Sequence, residues 1–321
     1  MKAPAEHGIL IELENEMSKV IAVFGATGKQ GGSVIRSLVK TDLYNLKAIT
    51  RNSKSEKAKE LSSLKNVVVV EADLDNNDSL DSVLEGCYGV FLVTDFTAHF
   101  VKNKEIDQGV NLINKAIANN VKHVVFSGLE NVESQINEPC LHFDYKAAVE
   151  DYGIKQEDKI HFTSLRLPMY YQEVAGSVLN KAFGNQFLLN IPMDADKKLY
   201  IMNVEDIGNC VASVLADPQQ YKSQKIGLCG DYLKISDLVM LLNQELSPLK
   251  VRFPGGWFNR FLFRNVLNFP GVKDLRIMFD YFNLQLMKRD ADVTKKLNPE
   301  VVDFATWLKK NRNEIVSSKT A

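Results

Sequence analysis

Gly25-Ala26-Thr27-Gly28-Lys29-Gln30-Gly31-Gly32 places three glycines three residues apart, directly after the apolar run Val20 to Phe24. Residues of these types at this spacing can hold a phosphate anion. Gly25 can turn the chain tightly, Gly28 has no Cβ to keep a pyrophosphate away, and Gly31 lets a following helix pack closely. The helical stretch Ser33 to Lys40 then offers unpaired N–H groups and a partial positive charge. A strand–turn–helix junction of this kind takes a dinucleotide. A second run, Leu46 to Thr50, ends at Arg51-Asn52-Ser53-Lys54, where an NAD site would carry Asp or Glu for the ribose 2′-hydroxyl. Arg51, with Ser53 and Lys54 beside it, suits a 2′-phosphate by charge and forked hydrogen bonding, so NADP(H) is the expected cofactor. A third run, Val67 to Val70, leads into Glu71-Ala72-Asp73-Leu74, with Asp73 placed to hold the adenine amino group and Leu74 to cover the ring. The competing reading of these residues is a structural glycine turn followed by a solvated basic loop.

Positioning such groups requires a parallel sheet, and the first half of the chain alternates accordingly. Helical patterns cover 56–64, 79–84, 103–119 and 142–152; further strand patterns cover 89–93, 122–126 and 161–165. Strands separated by helices of this length imply right-handed βαβ units, an α/β Rossmann fold with a doubly wound parallel sheet. Its carboxyl edge, where Thr94-Asp95-Phe96 and Ser127-Gly128 follow the fourth and fifth strands, should line the cofactor crevice. The domain division expected is an N-terminal extension over 1–18, a Rossmann domain over 19–168 to which later segments can return, and a smaller cleft-closing α+β region over 169–321. Within the latter, Asn203 is placed to cap a helix reaching Leu215, 226–228 reads as a strand and 235–246 as a helix. The segment Phe253 to Arg264 holds five aromatics and two arginines with no acidic residue. Two readings of it stand: a buried helix closing the cleft, or an exposed lid that meets a partner.

Composition narrows the function class. A net charge of −1 supplies no general field toward nucleic acid or an anionic membrane, so neither is an expected partner. No run approaches a membrane span, and the N-terminus lacks the pattern of a signal peptide. Cys87, Cys140, Cys210 and Cys229 show no metal spacing and read as reduced thiols of a cytoplasmic or nuclear protein; Cys140, in a loop after Pro139, reads as a buried or inert thiol, with a reactive one as the alternative. The five histidines form no ligand pair, so no metal is expected.

The glycine spacing is similar to that of the extended and atypical short-chain dehydrogenase/reductase superfamily, whose chemistry uses a Ser, a Tyr and a Lys. The Tyr and Lys stand four apart on one helix face; the Lys lowers the phenol pKa and binds the nicotinamide ribose, and the Tyr passes a proton. In this chain Ser127 and Lys146 match the Ser and the Lys. Four residues before Lys146 stands His142, and Tyr145 lies about 100° around the helix, off that face. The weak catalytic candidates are therefore Ser127, His142 and Lys146, with the usual proton donor missing.

The stretches Gly25 to Ser33, Thr50-Arg51-Asn52, Ser127-Gly128-Leu129-Glu130-Asn131 and His142-Phe143-Asp144-Tyr145-Lys146 resemble the NmrA-like family, most of all its animal NADPH-sensing members. Ser164 to Pro168, Phe269-Pro270-Gly271 and Thr306-Trp307-Leu308 extend the resemblance. It implies a redox sensor that binds NADP(H) in a cleft, turns over little substrate, and changes shape, self-association as a homodimer, and regulatory protein partners with the cofactor. The cofactor contacts it implies are Gly25, Ala26, Thr27, Gly28, Lys29, Gln30 and Gly31; Arg51, Asn52, Ser53, Lys54 and Ser55; Asp73 and Leu74; Thr94, Asp95 and Phe96; Lys146; and Tyr170, Tyr171, Gln172 and Glu173. Two departures add negative charge: Asp107 where relatives can carry Lys, and Glu173 where they can carry Asn. The alternative function is an NADPH-dependent reductase of a small carbonyl or quinone, with His142 or water as the proton source.

Overall fold

The computed structural model describes residues 19–320 apart from 99, 102 and 268–270. The extension expected over 1–18 and the Phe269-Pro270 pair lie outside the described residues. Strands β1 (Val20–Val23), β2 (Asn45–Thr50), β3 (Val67–Glu71), β4 (Cys87–Leu92), β5 (His123–Gly128) and β6 (His161–Arg166) form one parallel sheet. With β11 (Lys225–Gly227) added parallel to β6, the sheet has seven strands in the order β11-β6-β5-β4-β1-β2-β3. The order reverses between β1 and β4, which is where a doubly wound sheet opens its crevice. Val, Ile, Leu and Phe fill the central strands because both faces are covered; Ile21, Val90, Phe91, Val124, Val125 and Phe126 are all fully buried.

The helix after the glycine turn runs over Lys29–Thr41, so it begins four residues before the stretch expected from the pattern. Gly31 and Gly32 are poor helix formers, yet both lie in its first turn, and the reason for Gly31 is steric. A Cβ on Gly31 would stand 2.4 Å from the Gly25 carbonyl oxygen. β5 also runs on past Phe126 through Ser127 and Gly128, in register with Leu165 and Arg166 of β6, so Ser127 is a strand residue with a fixed direction.

The chain returns to this unit after leaving it. Helix Asp206–Ala216 packs along Lys29–Thr41, joined where Ser33 Oγ accepts from Gly208 N at 3.0 Å and donates to the Glu205 carbonyl at 2.9 Å. The remaining strands make two small sheets. One holds β7 (Met169–Tyr170), β10 (Lys198–Met202) and β12 (Asp231–Lys234); the other holds β8 (Leu179–Phe183), β9 (Gln186–Leu189) and β13 (Lys250–Arg252). A separate apolar core unites them with helices Ile235–Glu245, Val272–Asn283 and Phe304–Thr320 around Tyr171, Phe187, Ile201 and Phe304. Helix Leu141–Ile154 belongs to both cores: Phe143 packs in the second, Val149 in that of the large sheet.

The aromatic-basic segment forms helix Gly256–Asn265. The helix is neither wholly buried nor wholly exposed: one face packs inward and the other meets solvent. Asn259 is buried and Phe263 packs on the core, whereas Trp257 is 73% exposed and stacks on Phe261 at 6.2 Å. No helix among the described residues is long and apolar enough to cross a membrane.

Candidate functional site

The glycine turn leaves β1 at the crevice. Gly25 takes φ +65°, a left-handed conformation that glycine tolerates, and Gly28 N closes the turn on the Gly25 carbonyl at 2.9 Å. Gly28 is the N-cap of helix Lys29–Thr41 and offers no side chain to its first N–H groups. Those donors are free of a capping side chain, as an anion site requires. Ala26 N bonds the Ile49 carbonyl at 3.1 Å and Thr27 Oγ1 lies 3.4 Å from Thr50 Oγ1, tying the turn to the end of β2.

Beyond β2 the loop is ordered by its own polar residues. Asn52 Oδ1 accepts from Lys54 N at 3.0 Å and Ser55 Oγ caps helix Glu56–Ser62 through Ala58 N. Ser53 donates its N–H and its hydroxyl to Glu71 at 3.2 and 2.7 Å, which holds that carboxyl below its usual range. Arg51 and Lys54 are exposed and carry no ion pair with any described residue, which leaves both cations available. Asp73 Oδ1 accepts from Asp75 N at 3.0 Å, and Leu74 packs against the core beside β3.

The other end of the cleft is more tightly wired than the sequence showed. Lys146 Nζ donates to the Thr94 carbonyl at 2.6 Å and to Thr94 Oγ1 at 3.0 Å, and stands 2.9 Å from the Glu105 carboxylate. Glu105 is fully buried; it was not singled out, since an acid inside an amphipathic helix gives no sign that it faces a lysine forty residues on. Phe96 is buried edge-on against Phe100 and Tyr145, at 5.4 and 5.6 Å, so Tyr145 is turned to a structural aromatic cluster. Asp95 is exposed beside it.

His142 and Lys146 share a helix face, and with Ser127, Gln30, Tyr170 and Glu173 they line one cavity of about 560 Å³. His142 Nδ1 is held by Asp274 from helix Val272–Asn283, and the same carboxylate receives Leu141 N. Asp274 was also missed, because 132 residues separate the partners. Cys140 lies within reach, its Sγ 3.7 Å from His142 Nδ1, and Cys140, His142 and Asp274 make a group whose potential ligand atoms lie within 4.8 Å. Burial pushes the Cys140 thiol well above its ordinary range, and the carboxylates of Asp274 and Asp144 push it further. The arrangement is a His142–Asp274 hydrogen-bonded pair beside a buried thiol.

Segment 170–173 splits into two faces. Gln30 Nε2 donates to Tyr170 Oη at 2.8 Å and Lys29 pairs with Glu173, so the start of the glycine-turn helix is bridged to the far side of the cleft. Burial works against the Glu173 carboxylate, but hydrogen bonds from Lys29 and Ser177 outweigh it and hold its pKa low. The negative charge that Glu173 adds is thus neutralised within the chain. Asp107 remains an exposed residue of helix Lys104–Ala118. Tyr171 points the other way: it is fully buried, donates to the Val302 carbonyl at 3.0 Å and meets Phe304 at 5.1 Å. Gln172 bonds Asn203 and Val204. The structure therefore brings Tyr170 and Glu173 to the cleft and buries Tyr171 in the second core, while Gln172 lines a smaller pocket with Gly28 and Lys29 of the glycine turn.

A family model for the NmrA-like family matches residues 17–308. The chain belongs to the NmrA-like family. An NmrA-like family domain-containing oxidoreductase himF of Aspergillus japonicus is 37% identical over 254 residues, 73% of this chain and 75% of that protein. The solved structure of NmrA, a negative transcriptional regulator, in complex with NADP matches with a TM-score of 0.81 at 20% identity, covering 95% of this chain and 98% of that one. The NADPH-dependent quinone oxidoreductase QOR2 of Escherichia coli, complexed with NADPH, matches with a TM-score of 0.73 at 23% identity, over 90% and 99%. The NmrA-like family thus joins a regulator and oxidoreductases on one fold, and these likenesses give the fold alone.

Proposed function

We propose that this NmrA-like protein binds NADP(H) and reports its binding through a change of conformation and of protein association, with little turnover. The observation that carries the reading is the pair of bridges Lys29–Glu173 and Gln30–Tyr170. Lys29 and Gln30 belong to the turn that would hold the pyrophosphate, and their partners belong to the segment leading into the second core. A dinucleotide must compete with those bridges, so occupancy and the relation of the two cores are linked. Arg51 and Lys54 would take the 2′-phosphate, and Lys146, anchored by Thr94 and Glu105, would meet the nicotinamide ribose. A reducing cytosol or nucleus, where the NADPH/NADP ratio varies, suits such a device. Hydrogen exchange with and without NADPH tests it: protection should spread beyond the glycine turn and the Arg51 loop to 94–98, 127–140 and 253–264. Protection confined to the first two would leave a passive cofactor binder.

A second reading is favoured by the His142–Asp274 pair. Were hydride passed from NADPH to a small carbonyl or quinone in the cavity, His142 could give the proton from Nε2, with Asp274 fixing the ring through Nδ1 and stabilising the imidazolium. Turnover of a quinone or aldehyde at about 1 s⁻¹ or faster, abolished by His142→Ala, would make this the function instead.

A further inference from the structure

Lys146, the group placed to meet the nicotinamide ribose, is already ringed by oxygens of the protein. Its Nζ donates to the Thr94 carbonyl at 2.6 Å and to Thr94 Oγ1 at 3.0 Å, and stands 2.9 Å from Glu105 Oε1. An ammonium has three N–H groups, so these oxygens match its whole donor capacity. The partners are not equal. Glu105 is fully buried in the first turn of helix Lys104–Ala118, where the helix dipole favours a carboxylate. Thr94 Oγ1 donates to its Oε1 at 2.6 Å, and its Oε2 is buried without a partner. Among the described residues, Lys146 is the cation that offsets the Glu105 charge. Pulling it away would leave a buried carboxylate uncompensated, which costs far more than giving up a bond to a neutral oxygen.

We propose that Glu105 is a positioning residue for the cofactor, one that restrains Lys146. A ribose hydroxyl reaches the ammonium by displacing an oxygen of Thr94, because the ion pair does not yield, and the bond gained is set against the bond lost. Lys146 then adds little net affinity for NADP(H), and its contact with the cofactor is made at the expense of Thr94. Thr94 follows β4 and leads into the 3₁₀ turn Phe96–Ala98. The exchange gives cofactor occupancy a route to segment 94–98. This inference deepens the reading above and rests on it for the place of the nicotinamide ribose.

NADPH titrated calorimetrically into the full chain and its variants provides the test. Removing Lys146 alone would strand Glu105, so the lysine is removed only together with the charge. Glu105→Gln keeps an acceptor for Thr94 Oγ1 while releasing Lys146, and should tighten NADPH binding roughly fivefold or more. The double variant Glu105→Gln/Lys146→Met should lose that gain. A role in folding alone would lower the urea midpoint of Glu105→Gln and bring no gain in affinity for Lys146 to carry. Thr94→Val frees one N–H of Lys146 and leaves the ion pair in place, so it should tighten binding as well. A folded Glu105→Gln chain that binds NADPH no more tightly than the parent, or a double variant that keeps the gain, would overturn the proposal. Should Glu105→Gln fail to fold, unchanged or weaker binding by Thr94→Val would overturn it instead. A parent chain that binds no NADPH would remove the cofactor reading and this one with it, whereas binding without the gain removes this one alone.

Discussion

On the proposed function, Arg51 would decide the cofactor at the level of a single side chain. It is exposed, without an ion pair among the described residues, and stands directly after β2, where the ribose would lie. A fixed cation there favours a 2′-phosphate and gives nothing comparable to a hydroxyl. NADP(H) should bind at least tenfold more tightly than NAD(H), about 1.4 kcal/mol, and Arg51→Asp should erase or invert the preference; equal affinities for the parent chain in calorimetry would refute this. Asp206 illustrates a different single-residue effect. Burial pushes its carboxyl up to about 6, and one of its oxygens has no donor. The folded pKa lies above the unfolded one, so the contribution to stability is full below the unfolded pKa and is lost as pH rises through the folded one. Asp206→Asn should therefore match the parent near pH 4 and exceed it above about pH 7, by on the order of 2 kcal/mol. A pH series of urea midpoints would read this, and a constant offset at every pH would contradict the assignment.

Among the elements, the turn between β1 and its helix is the least tolerant of change. The Gly31 position faces backbone at 2.4 Å and 2.6 Å, the Gly25 carbonyl oxygen and carbon, and backbone cannot swing aside as a side-chain tip can. Gly31→Ala should lower stability by about 2 kcal/mol or more and weaken NADP(H) binding with it. The urea midpoint should fall with an unchanged slope; an unaltered midpoint would mean that the turn relaxes freely. Helix Leu141–Ile154 has the opposite character, since it is defined by what it bridges. Asp144 organises the loop before it, accepting from Val132 N at 2.7 Å, Glu133 N at 3.0 Å and Cys140 N at 2.7 Å. Asp274 meets its N-terminus from another helix. His142 is thereby aimed by two elements that lie far apart in the chain.

At the scale of the whole molecule, two apolar cores face each other across a cleft crossed by polar bridges. Polar bridges of this kind are individually weak and can exchange for ligand contacts, whereas helix Leu141–Ile154, shared by both cores, joins the two by packed apolar side chains. A ligand shifts a balance between two arrangements only as far as it binds one arrangement better. Sedimentation at matched protein concentrations should show a change of association state, or of affinity for a partner, when NADPH is added. An unchanged distribution in the presence of demonstrable cofactor binding would remove the case for a sensor.

Periodicity and turn chemistry made the parallel sheet, its strand ends and the glycine turn legible from the sequence, because each depends on neighbours within a few residues. The basic loop after β2 was legible for the same reason, and the helix face shared by His142 and Lys146 followed from a spacing of four. What the fold alone decided are pairings across long stretches of chain: Lys146 with Glu105, His142 with Asp274, and Lys29 with Glu173. It also separated Tyr170 from Tyr171, adjacent residues that face a cleft and a core. A local pattern records which side chains can be buried, but hydrogen-bond partners depend on which surfaces meet. That is set by the packing of the second core against the carboxyl edge of the sheet, which no window of sequence contains.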